Sequence, residues 1–557
     1  MKSIRWQLAI ILIAGIIVGA LLLSGQSGFR LVSIGPSKGG TYTEALIGNL
    51  QRLNPLLDYY NQPDRDVDRL IFSSLIRFNS NAQPEGDLAS AYGISMDGLV
   101  YNFDIQPNAV WHDGTPVTSA DILFTVEMMR DDASVLPEDL KNFWKGVEVL
   151  PLADKSIQFR LTEPFAPFLD YLTFGILPKH VLGTLAYTDI VNASFNLQPV
   201  GSGPYAFEKL IVENGEIKGV VLKASNNYYA EKPYISQIAF NYFSDSISAF
   251  QAYEGGLVQG IGEISLDILP QALENSNLSL YSGRKPEIAM LLFNLNNNQV
   301  KFFQDETIRR ALLVGLNRRG IIDRVLSGQG IVANVPLFPG TWAYYEGLTE
   351  VEYDSAGAIE MLKDKGYVLT EGGGTVREKD NTSLSFELFY PDDNVHQLVA
   401  ESIKTDWAKI GVEVILKSVS YDLLVLDHLQ PLNYQAALVD FNFSRSPDPD
   451  PYPFWDMSQQ TGGQNYSQYE NRIVSEYLEQ ARVSQDMEER AKLYRNFQVI
   501  FTDELPALPL YYPIYNYGVD QSVQGIRMGP LFDSSDRFYN VNAWYLVSGS
   551  VKSEVAN

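Results

Sequence analysis

The chain contains no cysteine in 557 residues. That absence excludes disulfides, thiolate nucleophiles, iron–sulfur clusters and cysteine zinc sites together, and leaves no cysteine for lipid attachment. Histidine is scarce: His112, His180, His396 and His428 are the only four, and no two have the i, i+4 spacing of a helical zinc site. Positive charge is also in short supply, with 42 Lys and Arg against 67 Asp and Glu and a formal net charge of -25. No local basic cluster overcomes that field, so nucleic acid is not an expected partner. With 45% hydrophobic and 20% charged residues, the composition is that of a globular protein. Its length calls for two or three domains' worth of packing.

Only one long apolar run occurs. Lys2 and Arg5 precede an uninterrupted stretch from Leu8 to Leu23, long for a signal-peptide core and short for an ideal membrane span of about 20 residues. The flanking charge places the N-terminus in the cytoplasm and the remainder outside. A weak small-x-small cleavage motif favours an uncleaved anchor over a cleaved signal peptide. Gly and Ser then form a tether up to about residue 40.

The body alternates helix and strand. Leu99, Tyr101, Phe103 and Ile105 alternate with polar or smaller neighbours as a half-buried strand. The following Trp111-His112-Asp113-Gly114-Thr115-Pro116 supplies turn residues, and Thr118 with Asp121 resembles a capping box ahead of Ile122, Leu123, Val126 and Met129. Asp305 caps a helix with a stripe of Ile308, Ala311, Leu312 and Leu316. Val399, Ile403, Trp407 and Ile410 form another stripe that ends at Gly411 and runs into a strand. Helix followed closely by strand in both halves argues for α/β lobes. The prolines of 444–454 preclude regular helix there and predict a loop.

No motif carries catalysis. His112 and Asp113 are adjacent in sequence, whereas catalytic pairs are assembled from separate segments, so this group is read as turn architecture. The stretch Gly201-Ser202-Gly203-Pro204-Tyr205 lacks the spacing of a nucleophile elbow. Asp448 and Asp450 lack the Asp-x-Asp-x-Asp-Gly loop of calcium sites, and the glycines of 255–262 lack both nucleotide-binding spacings. We therefore expect no enzyme activity, no metal and no cofactor. A glycosidase-like carboxylate pair is neither claimed nor excluded by sequence. Aromatic residues, at 12%, suit recognition of an organic ligand without chemistry.

The ordered blocks "PEGDLASAYGISMDGLVYNFDIQPNAVWHDGTPVTSADILFTVEMM", "PVGSGPYAFEKL", "LLFNLNNNQVKFFQDETIRRALLVGLNRRGIIDRVLSGQG", "SPDPDPYPFWDMSQQTGGQNYSQYEN" and "ALPLYYP" resemble solute-binding protein family 5, the extracytoplasmic binding proteins of oligopeptide and dipeptide ABC importers. The resemblance covers about residues 38 to 540. It implies an α/β, two-lobed periplasmic-binding-protein-like fold of type II with an extra inserted subdomain, placed after the N-terminal membrane segment. The implied division is 1–30 as signal or anchor with tether; 31–68, 190–285 and 510–545 as lobe I; 69–189 as the inserted subdomain; and 286–509 as lobe II. Two hinge strands are expected near Phe293 and Asn294 and near Tyr511 and Tyr512.

The function implied is capture of oligopeptides in the interlobe cleft and delivery to the permease subunits of an ABC transporter, by a monomer held at the outer face of the cytoplasmic membrane through residues 8–23. The same scaffold elsewhere holds oligosaccharides or metal chelates, and an extracellular hydrolase is the rival from another class. In the family, an aspartate three residues before an Asp-Pro pair meets the peptide's ammonium. Aligned on Asp448-Pro449, that position is Arg445, whose guanidinium would favour a carboxylate, a phosphate or a neutral polar group. Either Asp440 or Asp448 has taken over the acid role, or the ligand is not a free-amino peptide. Phe441 and Phe443 offer aromatic walls, and Asn294 and Tyr205 complete the candidate ligand-binding set.

Overall fold

The computed structural model describes residues 36–79, 82–370, 373–444 and 447–547. The Leu8–Leu23 segment and Arg445 lie outside the described residues. Among those described, no helix is long and apolar enough to cross a membrane.

One 12-stranded sheet runs through the molecule and belongs to two lobes. Strands Thr41–Ile47, Gln237–Phe243, Glu216–Ala224 and Tyr205–Glu213 lie side by side in lobe I, the first pair parallel and the others antiparallel. In lobe II, Ser385–Pro391 and Glu413–Val419 pair in parallel, joined by the crossover helix Asn394–Lys409. Ser385–Pro391 also pairs in parallel with Ala436–Asn442, which in turn runs antiparallel to Glu287–Phe293.

The strand Glu287–Phe293, of sequence EIAMLLF, shows why lobe II forms. Ala289, Leu291 and Phe293 enter one core, while Ile288, Met290 and Leu292 enter another on the opposite face. A strand covered on both faces reads as a continuous apolar run because its side chains alternate between two buried layers. Lobe I has its own large core, which extends into the antiparallel sheet of Ala89–Ile94, Val100–Ile105, Ser156–Arg160 and Glu148–Ala153.

Two antiparallel passes join the lobes. The first is Leu278–Arg284 continuing into Glu287–Phe293; the second is the single strand Ala507–Asp520. Leu508, Leu510 and Tyr511 of the second pass lie in a lobe II core, and Tyr515, Tyr517 and Val519 in the lobe I core. The passes cross where Lys285 N–H donates to Pro513 O at 2.8 Å. This places Tyr511 and Tyr512 beside the crossing, as expected, but corrects the position on the other pass. Arg284 pairs with Ile514 and Leu292 with Ala507, so antiparallel register carries Phe293 and Asn294 to the far end of the strand, inside lobe II.

Lobe I is closed by the chain's far end. Arg537, fully buried, reaches Glu44 at 2.6 Å and Asp66 at 2.8 Å. Tyr42 and Tyr517 hydroxyls complete this network around Glu44.

The local readings meet the structure closely. Strand Val100–Ile105 buries Tyr101, Phe103 and Ile105, and helix Ser119–Met129 begins with a capping box between Thr118 and Asp121. Asp305 caps Glu306–Val314 through Thr307 N–H. A short helix, Tyr452–Trp455, interrupts the expected loop. Its prolines sit at or before the first turn, where a missing N–H costs no intrahelical bond.

Candidate functional site

His112 and its neighbours are architecture. Trp111 N–H donates to Thr115 O at 2.7 Å and Thr115 N–H to Asp113 Oδ1 at 2.9 Å, which closes the turn. His112 Nδ1 accepts from Gly201 N–H at 3.2 Å, so the proton resides on Nε2, which donates to Gly203 O at 3.0 Å. Burial holds the ring's pKa below the usual histidine range. The imidazole therefore clamps the turn to the Gly-Ser-Gly-Pro stretch. Gly201 is required there, because a Cβ would meet Ile71 O at 1.9 Å.

The site is a cavity of about 1410 Å³ between the lobes. One wall is helix Gln62–Ile71, which contributes Arg65, Asp68 and Arg69. A second wall comes from the inserted subdomain, where Phe143, Phe165, Asp170 and Tyr171 face the space. The third belongs to lobe II and carries Phe443, Asp448, Asp450, Phe454, Tyr466 and Arg482. Aromatic side chains line the cavity beside charged groups and the amides of Gln459, Gln460 and Gln464.

The subdomain and lobe II are already in contact at one side of this cavity. Asp448 N–H donates to Asp170 Oδ2 at 2.5 Å. The Arg482 guanidinium lies 5.2 Å from the Phe165 ring centre and pairs with Asp450 at 2.9 Å. Behind them, Arg490 holds Asp448 at 2.5 Å, with both side chains buried. Burial, and then the Asp448 charge, push the Asp170 carboxyl well above the usual range. Asp450 is also raised, by burial first, against the opposing pull of Arg482. Among the described residues no group of three or more His, Asp or Glu side chains is placed to hold a metal ion.

The candidates from sequence divide. Asp448 and Phe443 line the cavity, and Phe443 is fixed edge-on against Phe338 at 5.2 Å. Phe441 stands behind the lining, stacked on Phe454 at 4.7 Å. Asp440 faces away toward His396, whose Nε2 is 3.0 Å from it while Nδ1 contacts Asp393 at 2.5 Å. Asn294 donates to Leu432 O and Tyr434 O and is buried. Tyr205 is buried in lobe I with its hydroxyl donating to Ile235 O. Neither lines the cavity. The chain neighbours of the undescribed pair 445–446, Ser444 and Pro447, do line it. Sequence reasoning missed Asp170, Arg482 and Arg490; their only signal was residue type, because their partners are distant in the chain.

The fold has counterparts among known proteins. The oligopeptide-binding protein AppA of Bacillus subtilis is 26% identical, over 97% of this chain and 99% of its own. The structure of AppA with a nonapeptide superposes with a TM-score of 0.68 at 25% identity, covering 92% of this chain and 100% of the other. NikZ from Campylobacter jejuni in complex with Ni(L-His) gives a TM-score of 0.69 at 26% identity, covering 91% and 99%. Residues 83–465 match the model of the bacterial extracellular solute-binding proteins, family 5, and the chain belongs to that family.

Proposed function

We propose that the chain is an extracytoplasmic binding protein that encloses oligopeptides between its lobes and presents them to an ABC import permease, without catalysing a reaction. The observation that carries this reading is the cavity of about 1410 Å³. It exceeds the roughly 300–1,000 Å³ that serves a drug-sized ligand. The likeness to AppA, solved with a nonapeptide, supports a ligand of that size. A ligand touching the subdomain and lobe II at once gains affinity only in the closed form, so binding shifts the population toward closure about the two crossing strands.

In this reading Phe443, Asp448, Tyr466 and the aromatic subdomain wall contact the ligand. The separate cores support the division between a lobe I assembled from three chain segments and 286–509 as lobe II, while the inserted stretch 69–189 shares the lobe I core. Residues 8–23 anchor a monomer at the outer face of the membrane. The likeness to NikZ favours a second reading, a metal chelate as ligand.

Thermal unfolding of the full chain with an alanine-rich nonapeptide and with nickel–histidine separates the two. A ligand at about 100 times its Kd stabilises by roughly 2.7 kcal/mol. Stabilisation by the peptide alone supports the first reading; stabilisation by the chelate alone replaces it with the second.

A further inference from the structure

The charge around the cleft defines a narrower ligand class. Ten carboxylates but only four guanidiniums line it among the described residues, with no lysine or histidine. Arg445, if added, would still leave acids in twofold excess. The guanidiniums are already engaged: Arg65 with Asp533 at 2.9 Å, Arg69 with Asp536 at 3.1 Å, Arg77 with Glu85 at 2.8 Å and Arg482 with Asp450 at 2.9 Å. The described lining therefore offers an anionic ligand no cation that is not already in an ion pair.

Five of the ten acids are in ion pairs as well, Glu138 with Lys141, Asp448 with Arg490, Asp450 with Arg482, Asp533 with Arg65 and Asp536 with Arg69, which leaves the remainder to set the excess. Asp139 and Glu163 stand exposed on the subdomain wall with no ion-pair partner among the described residues. Asp450 has one oxygen on Arg482, while its other, Oδ1, is buried without a hydrogen-bond partner. Asp170 lies against the Asp448 loop, and a nearby ligand cation would offset that crowding of negative charge. Carboxylates in a partly dry cleft act on a cation more strongly than on a water-exposed surface. The net charge of -25 adds a long-range attraction of the same sign.

Aromatic rings fit the same ligand. Phe143, Phe165, Tyr171, Phe454 and Tyr466 line the cavity. Lysine and arginine pack their methylene stems on such rings and place their charge over them. Arg482 already does so, 4.2 Å over Tyr452 and 5.2 Å over Phe165.

We propose that the cleft selects cationic oligopeptides, those bearing lysine or arginine side chains in addition to a free ammonium. This rests on the oligopeptide reading above and specifies its ligand. If the excess of acid is only the solvating surface of an acidic protein, peptide charge will leave affinity unchanged.

The test is calorimetric titration of the full chain with three alanine–glycine nonapeptides with free termini, carrying three lysines, three glutamines or three glutamates. The lysine peptide should bind about tenfold more tightly than the glutamine peptide, the glutamate peptide most weakly, with the gaps narrowing as salt is raised. Equal affinities, or tighter binding of the glutamate peptide, would overturn the proposal while leaving the oligopeptide reading intact. Failure of all three to bind would remove that reading and the proposal together. The double variant Asp139→Asn, Glu163→Gln alters exposed side chains that hold no ion pair among the described residues. It should reduce the lysine-to-glutamine affinity ratio severalfold, and an unchanged ratio would count against the subdomain wall as the source of selectivity.

Discussion

Asp170 accepts a hydrogen bond from the backbone N–H of Asp448 at 2.5 Å, so a carboxylate of the subdomain is seated on a loop of the opposite lobe. The two residues are 278 positions apart in the chain, and their meeting holds one side of the cleft together.

The contact should make the stability of this closed arrangement sensitive to protons. Burial, followed by the Asp448 charge, raises the Asp170 pKa, so the closed state binds a proton that an open or unfolded chain releases. Closed chain is penalised above the raised pKa, and the penalty is relieved as pH falls through that value toward the ordinary one. Asp170→Asn keeps an accepting oxygen and removes the charge. It should raise the unfolding midpoint near pH 8 and have little effect at about pH 4. Equal destabilisation at both would show that the contact needs the ionised carboxylate.

Arg490→Met should be severely destabilising. Arg490 and Asp448 are 3% and 7% exposed at their side chains, and removal of one partner strands a buried charge at a cost of about 3–5 kcal/mol. Urea unfolding of the variant checks this. Lysine should restore only part of the loss, because Arg490 also donates through Nε to Ala481 O at 2.8 Å and an ammonium lacks the planar fork.

His112→Ala should lose about 2–4 kcal/mol, the sum of two modest hydrogen bonds and a buried Gly201 N–H left without an acceptor. The ring's pKa is lowered by burial. Its contribution is therefore complete above the unfolded value of about 6.5 and is lost as pH falls through the folded value. The difference between wild type and variant, followed by denaturant midpoint, should shrink on acidification.

His396→Gln should show the opposite trend. Burial opposes its charge, but the hydrogen bonds and charges of Asp440 and Asp393 outweigh that and raise its pKa. Glu287, itself raised chiefly by burial, adds negative charge nearby. The stabilisation is fully present below about pH 6.5 and disappears as pH rises through the raised value. The same midpoint measurement should find the variant most impaired in mild acid and nearly normal in alkali.

What was legible in the sequence was local. The alternation from Tyr101 to Ile105, the cap at Asp305 and the turn after Trp111 depend on neighbours within a few positions, and each formed as the pattern required. The cleft followed from resemblance, and its chemistry only in part. Phe443, just beyond the end of strand Ala436–Asn442, reached the lining, while Phe441 within the strand stayed behind it against Phe454. Asp440 met His396 from another helix. Tyr205 and Asn294 found backbone carbonyls instead of the cavity. Arg490 and Asp170 gained their importance only because folding brought both to Asp448, and no spacing along the chain records that encounter.

The buried bridge between Glu44 and Arg537 has a temporal consequence. Lobe I is the first to begin and the last to be finished, since its central strand Thr41–Ile47 waits for Gly260–Ile261, for Ala507–Asp520 beyond it, and for a guanidinium 493 positions downstream. Lobe II draws its cores from one nearly continuous stretch and has no such delay. A chain delivered N-terminus first through a narrow pore would thus keep its leading half incomplete until the segment around Arg537 emerged, so that threading and maturation are separated by the order in which the polypeptide arrives.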